Sequence, residues 1–149
     1  MTPNQTRSDA GLASALRISV SRLARRLRAE RLAGGLEPEL SDTQLAALAA
    51  LERHGAMTPG ELAEHEKVQP PSMTRVMAVL EARSLVMRAP HPTDRRQVMM
   101  TVTDQGRELV QQSRRLRDAW LDRRLRELSP KDRATLQAAA PILEKLSQS

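Results

Sequence analysis

The sequence predicts a mainly α-helical chain interrupted by one small β hairpin, and three observations predict it. Apolar residues recur at spacings of three and four along most of the 149 residues, the mark of helices that bury one stripe. Helix-start signals precede several of these stretches: Ser41 to Gln44, Thr58 to Glu61, and the pair Pro70-Pro71. Alternation at period two occurs once, where Val98, Met100 and Val102 alternate with Gln97, Met99 and Thr101, as in a half-buried strand.

Taken in order, residues 1–8 are polar and are expected to fray. From about Asp9 to Leu32, the residues Leu12, Leu16, Val20, Leu23 and Leu27 form one stripe of a long helix, and Arg17, Arg22, Arg25, Arg26, Arg28 and Arg31 cover other faces. A helix this long on a small protein packs against more than its own neighbour, which makes it a partner helix; Gly34, Gly35 and Pro38 end it. Ser41-Asp42-Thr43-Gln44 is a capping box for a second helix over about 42–54, with Leu45, Leu48 and Leu51 behind it and Gly55 as its stop. Thr58-Pro59-Gly60-Glu61 repeats that logic for a short third helix over about 59–66, Leu62 and Ala63 facing inward.

Two prolines in succession can only start a helix, since inside one they would remove backbone hydrogen bonds and clash with the preceding turn. A fourth helix therefore runs from Pro70 to about Arg83, burying Met73, Val76, Met77 and Leu80 and leaving Ser72, Thr74, Arg75 and Ala78 off the stripe. Strands are expected over Leu85–Arg88 and Gln97–Val102, joined by a stiff, exposed loop from Ala89 to Arg96. Thr103 and Asp104 cap a fifth helix reaching about Glu127, roughly 36 Å at 1.5 Å per residue. Ser129-Pro130-Lys131-Asp132 opens a sixth, in which Pro141 is expected to cause a kink or break.

Composition narrows the functions open to such a chain. Its net charge is +6, from 24 Lys plus Arg against 18 Asp plus Glu, and all but Lys67, Lys131 and Lys145 of the cations are arginine. That balance favours an anionic partner, and guanidinium forks suit phosphate and guanine. With no Phe, no Tyr and Trp120 alone, the chain lacks the aromatic platforms on which single strands stack. Duplex DNA needs none. Without cysteine there is no thiolate metal site, Cys nucleophile or thiol switch. No apolar run approaches the roughly 18 residues of a membrane helix, so a cytoplasmic protein is expected. His54, His65 and His91 fall on separate elements without ligand spacing, so no metal site is expected. No nucleophile and base pair up and no phosphate-binding glycine loop occurs; the chain reads as a non-enzyme with no cofactor.

A short helix followed closely by a second one with a polar, proline-started front, and then by a charged hairpin, is the layout of a winged helix-turn-helix. Small polar groups and one arginine at the front of the fourth helix suit close approach to a major groove. The residues expected to meet DNA are Gln69 and Pro71 at or before the start of that helix, Ser72, Thr74 and Arg75 on it, and Asp94, Arg95 and Arg96 at the wing tip. The expected organisation is a dimerisation helix over 1–36, the DNA-binding lobe over 37–103, and dimerisation helices over 104–149.

The runs PPSMTRVMAVLE and DRRQVMMTVTDQG, within this order of elements, resemble the multiple-antibiotic-resistance regulator (MarR) family of transcription factors over about residues 10–147. The most specific match is the D-x-R at the wing tip, Asp94 and Arg96. In that family the acid is taken to brace the wing while the arginine enters the minor groove. Ser84 departs from the pattern, which has glycine before the first wing strand. The resemblance implies a homodimer joined by its terminal helices, binding a pseudo-palindromic operator, more often as a repressor. It also implies release by a small ligand, often an anionic aromatic compound, held between dimerisation helices and DNA-binding lobe. Arg17 and neighbours on helices one, two and five are candidates for such a site, but spacing assigns no effector residue.

Other readings remain: a winged-helix adaptor that binds ligands or proteins without reading DNA, and a basic protein that coats DNA without sequence preference. The arginines of helix five, interleaved with Asp118, Asp122 and Glu127, read as a solvated, salt-bridged face. Met73, Met77, Met87, Met99 and Met100 read as core filler, and Trp120 as core or interface packing.

Overall fold

A computed structural model describes residues 3–35 and 40–149, with side chains from residue 8 onward. Eight elements follow in order: α1 (Pro3–Ala33), α2 (Asp42–His54), α3 (Pro59–His65), α4 (Pro70–Ala82), β1 (Val86–Pro90), β2 (Val98–Val102), α5 (Asp104–Arg126) and α6 (Pro130–Ser147). They fall into two compact units, Gly34–Arg115 on one hand, and Met1–Ala33 with Leu116–Ser149 on the other.

The Gly34–Arg115 unit holds the core. Leu48, Leu51, Leu62, Met73, Leu80, Leu85, Met100 and Val110 are all but sealed from solvent, drawn from α2, α3, α4, the wing and the first turns of α5. Burying side chains of this size is worth roughly 1.5–3 kcal/mol each. The stripes read from spacing on α2, α3 and α4 are the faces that pack. Both capping boxes form: Ser41 Oγ accepts the Gln44 N–H at 3.2 Å while Gln44 Oε1 accepts that of Ser41 at 3.0 Å. Thr58 and Glu61 exchange the same pair of bonds, each at 3.1 Å.

β1 and β2 pair antiparallel with Val86 opposite Val102 and Pro90 opposite Val98. Met57, just ahead of α3, adds a one-residue bridge to the sheet, donating to the Met100 carbonyl at 3.2 Å and accepting from the Met100 N–H at 2.7 Å. No alternation marks a bridge that short, so spacing did not show it. Thr103 Oγ1 caps α5 by accepting the Gly106 N–H at 3.1 Å, and donates to the Ser84 carbonyl at 2.6 Å.

In the other unit, Trp120 is half-buried between two guanidinium groups, with Arg26 5.3 Å and Arg124 5.8 Å from the ring centroid. Arg126 pairs with Asp122 at 2.6 Å and Arg124 with Glu127 at 3.1 Å, the helix-face bridges expected of α5. The apolar stripes of its terminal helices stay exposed within the chain: Leu12, Val20 and Leu23 on α1, and Leu136, Ile142, Leu143 and Leu146 on α6, which has no buried residue.

Several expectations are corrected. α1 starts at Pro3 instead of fraying through residue 8, since proline at a first helical position gives up no bond. Of the kink or break expected at Pro141, the break does not occur, since α6 continues through it. Met87 is exposed, not core, because it falls on the outward side of β1. Arg114 reaches Glu52 on α2 at 3.2 Å, not a partner on its own face. Pro38, named as a stop for α1, lies outside the described residues; Gly35 just before it takes φ +65°.

Candidate nucleic-acid interface

Two tight turns set the angle of α4. α3 ends with Lys67 in the left-handed region at φ 55°, its N–H donating to Glu64 O at 3.3 Å while the Val68 N–H reaches Ala63 O at 2.9 Å. This pairing satisfies two carbonyls that a helix end leaves open. Gln69 is then extended and occupies the cap position of α4 without a side-chain bond. Pro70 needs no partner for an N–H it lacks. At its far end α4 stops in the same way, with Ser84 at φ 59°, the Ser84 N–H on Glu81 O and the Leu85 N–H on Leu80 O, both at 3.0 Å. Serine adopts there the conformation for which glycine is the usual choice, so the departure at Ser84 leaves the turn intact.

The front of α4 is therefore presented on a fixed base. Met73 beneath it is fully buried, whereas Gln69, Pro71, Thr74 and Arg75 are exposed and Ser72 is half-buried. The Thr74 hydroxyl donates to Pro70 O at 3.0 Å, and its oxygen keeps its lone pairs as acceptors. Arg75 Nε lies 3.4 Å from Pro71 O, and that contact aligns the side chain along the helix while its terminal amino groups stay available.

In the loop between β1 and β2, Asp94 is the hub. Its Oδ1 accepts the Arg96 N–H at 3.0 Å and Arg96 Nε at 3.3 Å. Its Oδ2 accepts Gln97 Nε2 at 3.1 Å, and its carbonyl accepts the Gln97 N–H at 3.1 Å. The Arg96 backbone N–H, then the Gln97 amide and the Arg96 guanidinium, hold the carboxyl below the usual aspartate range. The Arg96 side chain is nonetheless 92% exposed, so the acid anchors its base while the guanidinium fork stays in solvent. Arg95 is also exposed.

All eight residues singled out from sequence lie on α4, at its N-terminal cap or on the wing, within one compact unit. Three further groups shape the site without a periodic signal. Arg88 on β1 ties back to Glu81 on α4 through Nε at 2.6 Å, fixing the wing to the helix. Gln97 closes the cage around Asp94. His91 accepts two backbone N–H groups in the wing loop. The one clue available for the last two was their place as polar residues flanking a D-x-R.

An exposed, polar helix front held by tight turns beside a braced β wing, on a basic chain, defines a winged helix-turn-helix DNA-binding transcriptional regulator. The model of the MarR family matches residues 40–98. An HTH-type transcriptional regulator of Mycobacterium bovis is 48% identical over 136 residues, spanning 91% of this chain and 92% of that protein. The chain belongs to the MarR family, whose members are transcriptional regulators and not enzymes. The HTH-type transcriptional repressor MdtR of Bacillus subtilis is 29% identical over 137 residues, covering 92% of this chain and 86% of its own. Among solved structures, a transcriptional regulator of Pseudomonas aeruginosa superposes with a TM-score of 0.78 at 33% identity, over 95% of this chain and 97% of the other. A MarR family protein of Bacillus stearothermophilus reaches 0.80 at 22% identity, over 97% and 98%, a likeness of fold.

Proposed function

We propose that the protein is a homodimeric repressor that recognises a pseudo-palindromic operator. Ser72, Thr74 and Arg75 read bases in the major groove, Gln69 and Pro71 meet the backbone at the helix start, and Arg96 reaches the minor groove with Arg95 on phosphate. The observation that carries this reading is the wing tip. Asp94 spends both oxygens on holding Arg96 and Gln97, yet leaves the guanidinium fork in solvent, an arrangement suited to a narrow, negative groove.

The exposed apolar stripes of α1 and α6 support a dimer, since a second copy would cover them, with a dimerisation segment over 1–36, a DNA-binding lobe over 37–103 and closing dimerisation helices over 104–149. Two copies would present their recognition helices to successive major grooves about 34 Å apart. Repression agrees with the description of the related Bacillus subtilis protein. Release by a small anionic aromatic ligand remains part of the reading through family resemblance, as does work in the cytoplasm; among the described residues no helix is long and apolar enough to cross a membrane.

A titration on the chain's own upstream region against random duplex, at two salt concentrations, tests the whole. A specific regulator keeps a large affinity ratio at both. A coating protein shows steep salt dependence without preference, and an adaptor binds neither duplex; either result would sink the proposal.

A further inference from the structure

His91 opens the wing loop, and its ring is turned inward on the chain that follows. Nδ1 lies 3.2 Å from the Thr93 backbone N and 3.0 Å from the Asp94 backbone N, both of which donate to it, with the Thr93 hydroxyl 3.5 Å away. A backbone N–H is an obligate donor. Two of them aimed at one ring nitrogen require that nitrogen to carry a lone pair, so Nδ1 is the acceptor and the ring N–H sits on Nε2. The nested order is then complete. His91 holds the N–H of Asp94, and Asp94 holds Arg96 and Gln97.

We propose that His91 is a positioning residue for the wing tip: its Nδ1 fixes the Thr93 and Asp94 backbone N–H groups, and through them the Asp94 carboxylate that carries Arg96, so that the wing's hold on DNA depends on an acceptor at this position. The inference rests on the DNA-binding reading of the wing.

The test compares the full-length protein with His91→Asn and His91→Ala. Asparagine offers a carbonyl oxygen to the same two N–H groups and does not titrate; alanine offers nothing. At about pH 8 His91→Asn should match the wild type in operator affinity and His91→Ala should bind about three- to tenfold more weakly. A His91→Ala protein as tight as wild type, or a His91→Asn protein as weak as His91→Ala, overturns the proposal. Imidazole nitrogen-15 spectra of the free protein give a readout independent of DNA: Nδ1 is expected as the bare ring nitrogen and Nε2 as the protonated one, and a proton on Nδ1 overturns it. If the wild type shows no preference for operator over random duplex, the DNA-binding reading fails, and the spectra still decide the role of His91.

Discussion

Arg96 closes onto Asp94 twice, its backbone N–H at 3.0 Å and its Nε at 3.3 Å from the same carboxylate oxygen. The pair uses the inner nitrogen of the guanidinium and leaves the outer two in solvent. An exposed ion pair adds little to stability, so Arg96→Ala should leave thermal unfolding nearly unchanged. It should weaken operator binding by roughly 1–3 kcal/mol, the range for a lost specific arginine contact. Fluorescence anisotropy on the operator, beside a thermal melt, checks both halves. Full retention of affinity would remove the wing from the interface.

Asp94 should titrate below an ordinary aspartate, because the Arg96 N–H, the Gln97 amide and the Arg96 guanidinium all favour its ionised form. A folded-state pKa below the unfolded one means that its bracing is fully present above about pH 4 and is lost as pH falls through the depressed value. Acidification from neutral to about pH 5.5 therefore leaves Asp94 ionised and its bracing in place. Carbon-13 titration of the Asp94 carboxyl measures this directly. A midpoint at the normal aspartate value would mean the cage is not populated in solution.

Arg75 differs from Arg96 in what its loss should do. It stands on the recognition helix with Nε against Pro71 O at 3.4 Å, so its fork is oriented before DNA arrives, which suits a bidentate contact to a base. Arg75→Ala should narrow the affinity gap between operator variants, by about 1–3 kcal/mol at one base position. An equal loss on every duplex would reassign Arg75 to phosphate.

Much of this architecture was legible in the sequence because it rests on local chemistry. Capping boxes at Ser41 and Thr58, prolines at Pro70 and Pro71, and apolar spacing on α4 act within one turn of chain, and each appears in the fold where spacing placed it. Features built from distant partners were not legible. Arg114 looked like part of a solvated helix face but reaches Glu52, sixty-two positions away. Met57 joins the wing sheet through a single residue. His91 and Gln97 complete the cage around Asp94 through bonds to backbone and carboxylate, and a bond of that kind leaves no periodic trace. Spacing alone also could not tell whether the α1 stripe faces its own chain or another surface.

Gly106 sits where α5 crosses the start of the wing. A methyl group there would be driven into the Leu85 carbonyl and would lie 3.0 Å from a Val102 methyl. That carbonyl also accepts the Thr103 N–H at 3.0 Å, so it cannot move without cost. Helix propensity alone would favour alanine by about 1 kcal/mol. The clash should reverse that sign, with Gly106→Ala destabilised by roughly 1–3 kcal/mol in denaturant unfolding. A variant as stable as the wild type would show that α5 can shift off the wing freely.

Ser84 presents the opposite case, a residue with a side chain where none is needed. Its φ of 59° is left-handed, which disfavours a residue with a Cβ by about 1–2 kcal/mol. Every bond it makes in the turn uses its backbone: its N–H reaches Glu81 O, and its carbonyl accepts the Thr103 hydroxyl. Ser84→Gly keeps all of these and relieves the conformational strain, against about 0.5–1 kcal/mol for the greater freedom of glycine in the unfolded chain. The net expectation is a gain of about 0.5–1 kcal/mol in unfolding free energy, with operator affinity unchanged because the turn geometry is already that of glycine. Lys67→Gly, at φ 55° in the matching turn after α3, should gain by the same reasoning. A loss of stability in Ser84→Gly would mean that the serine side chain itself holds the turn, and that the left-handed backbone is not the strained element.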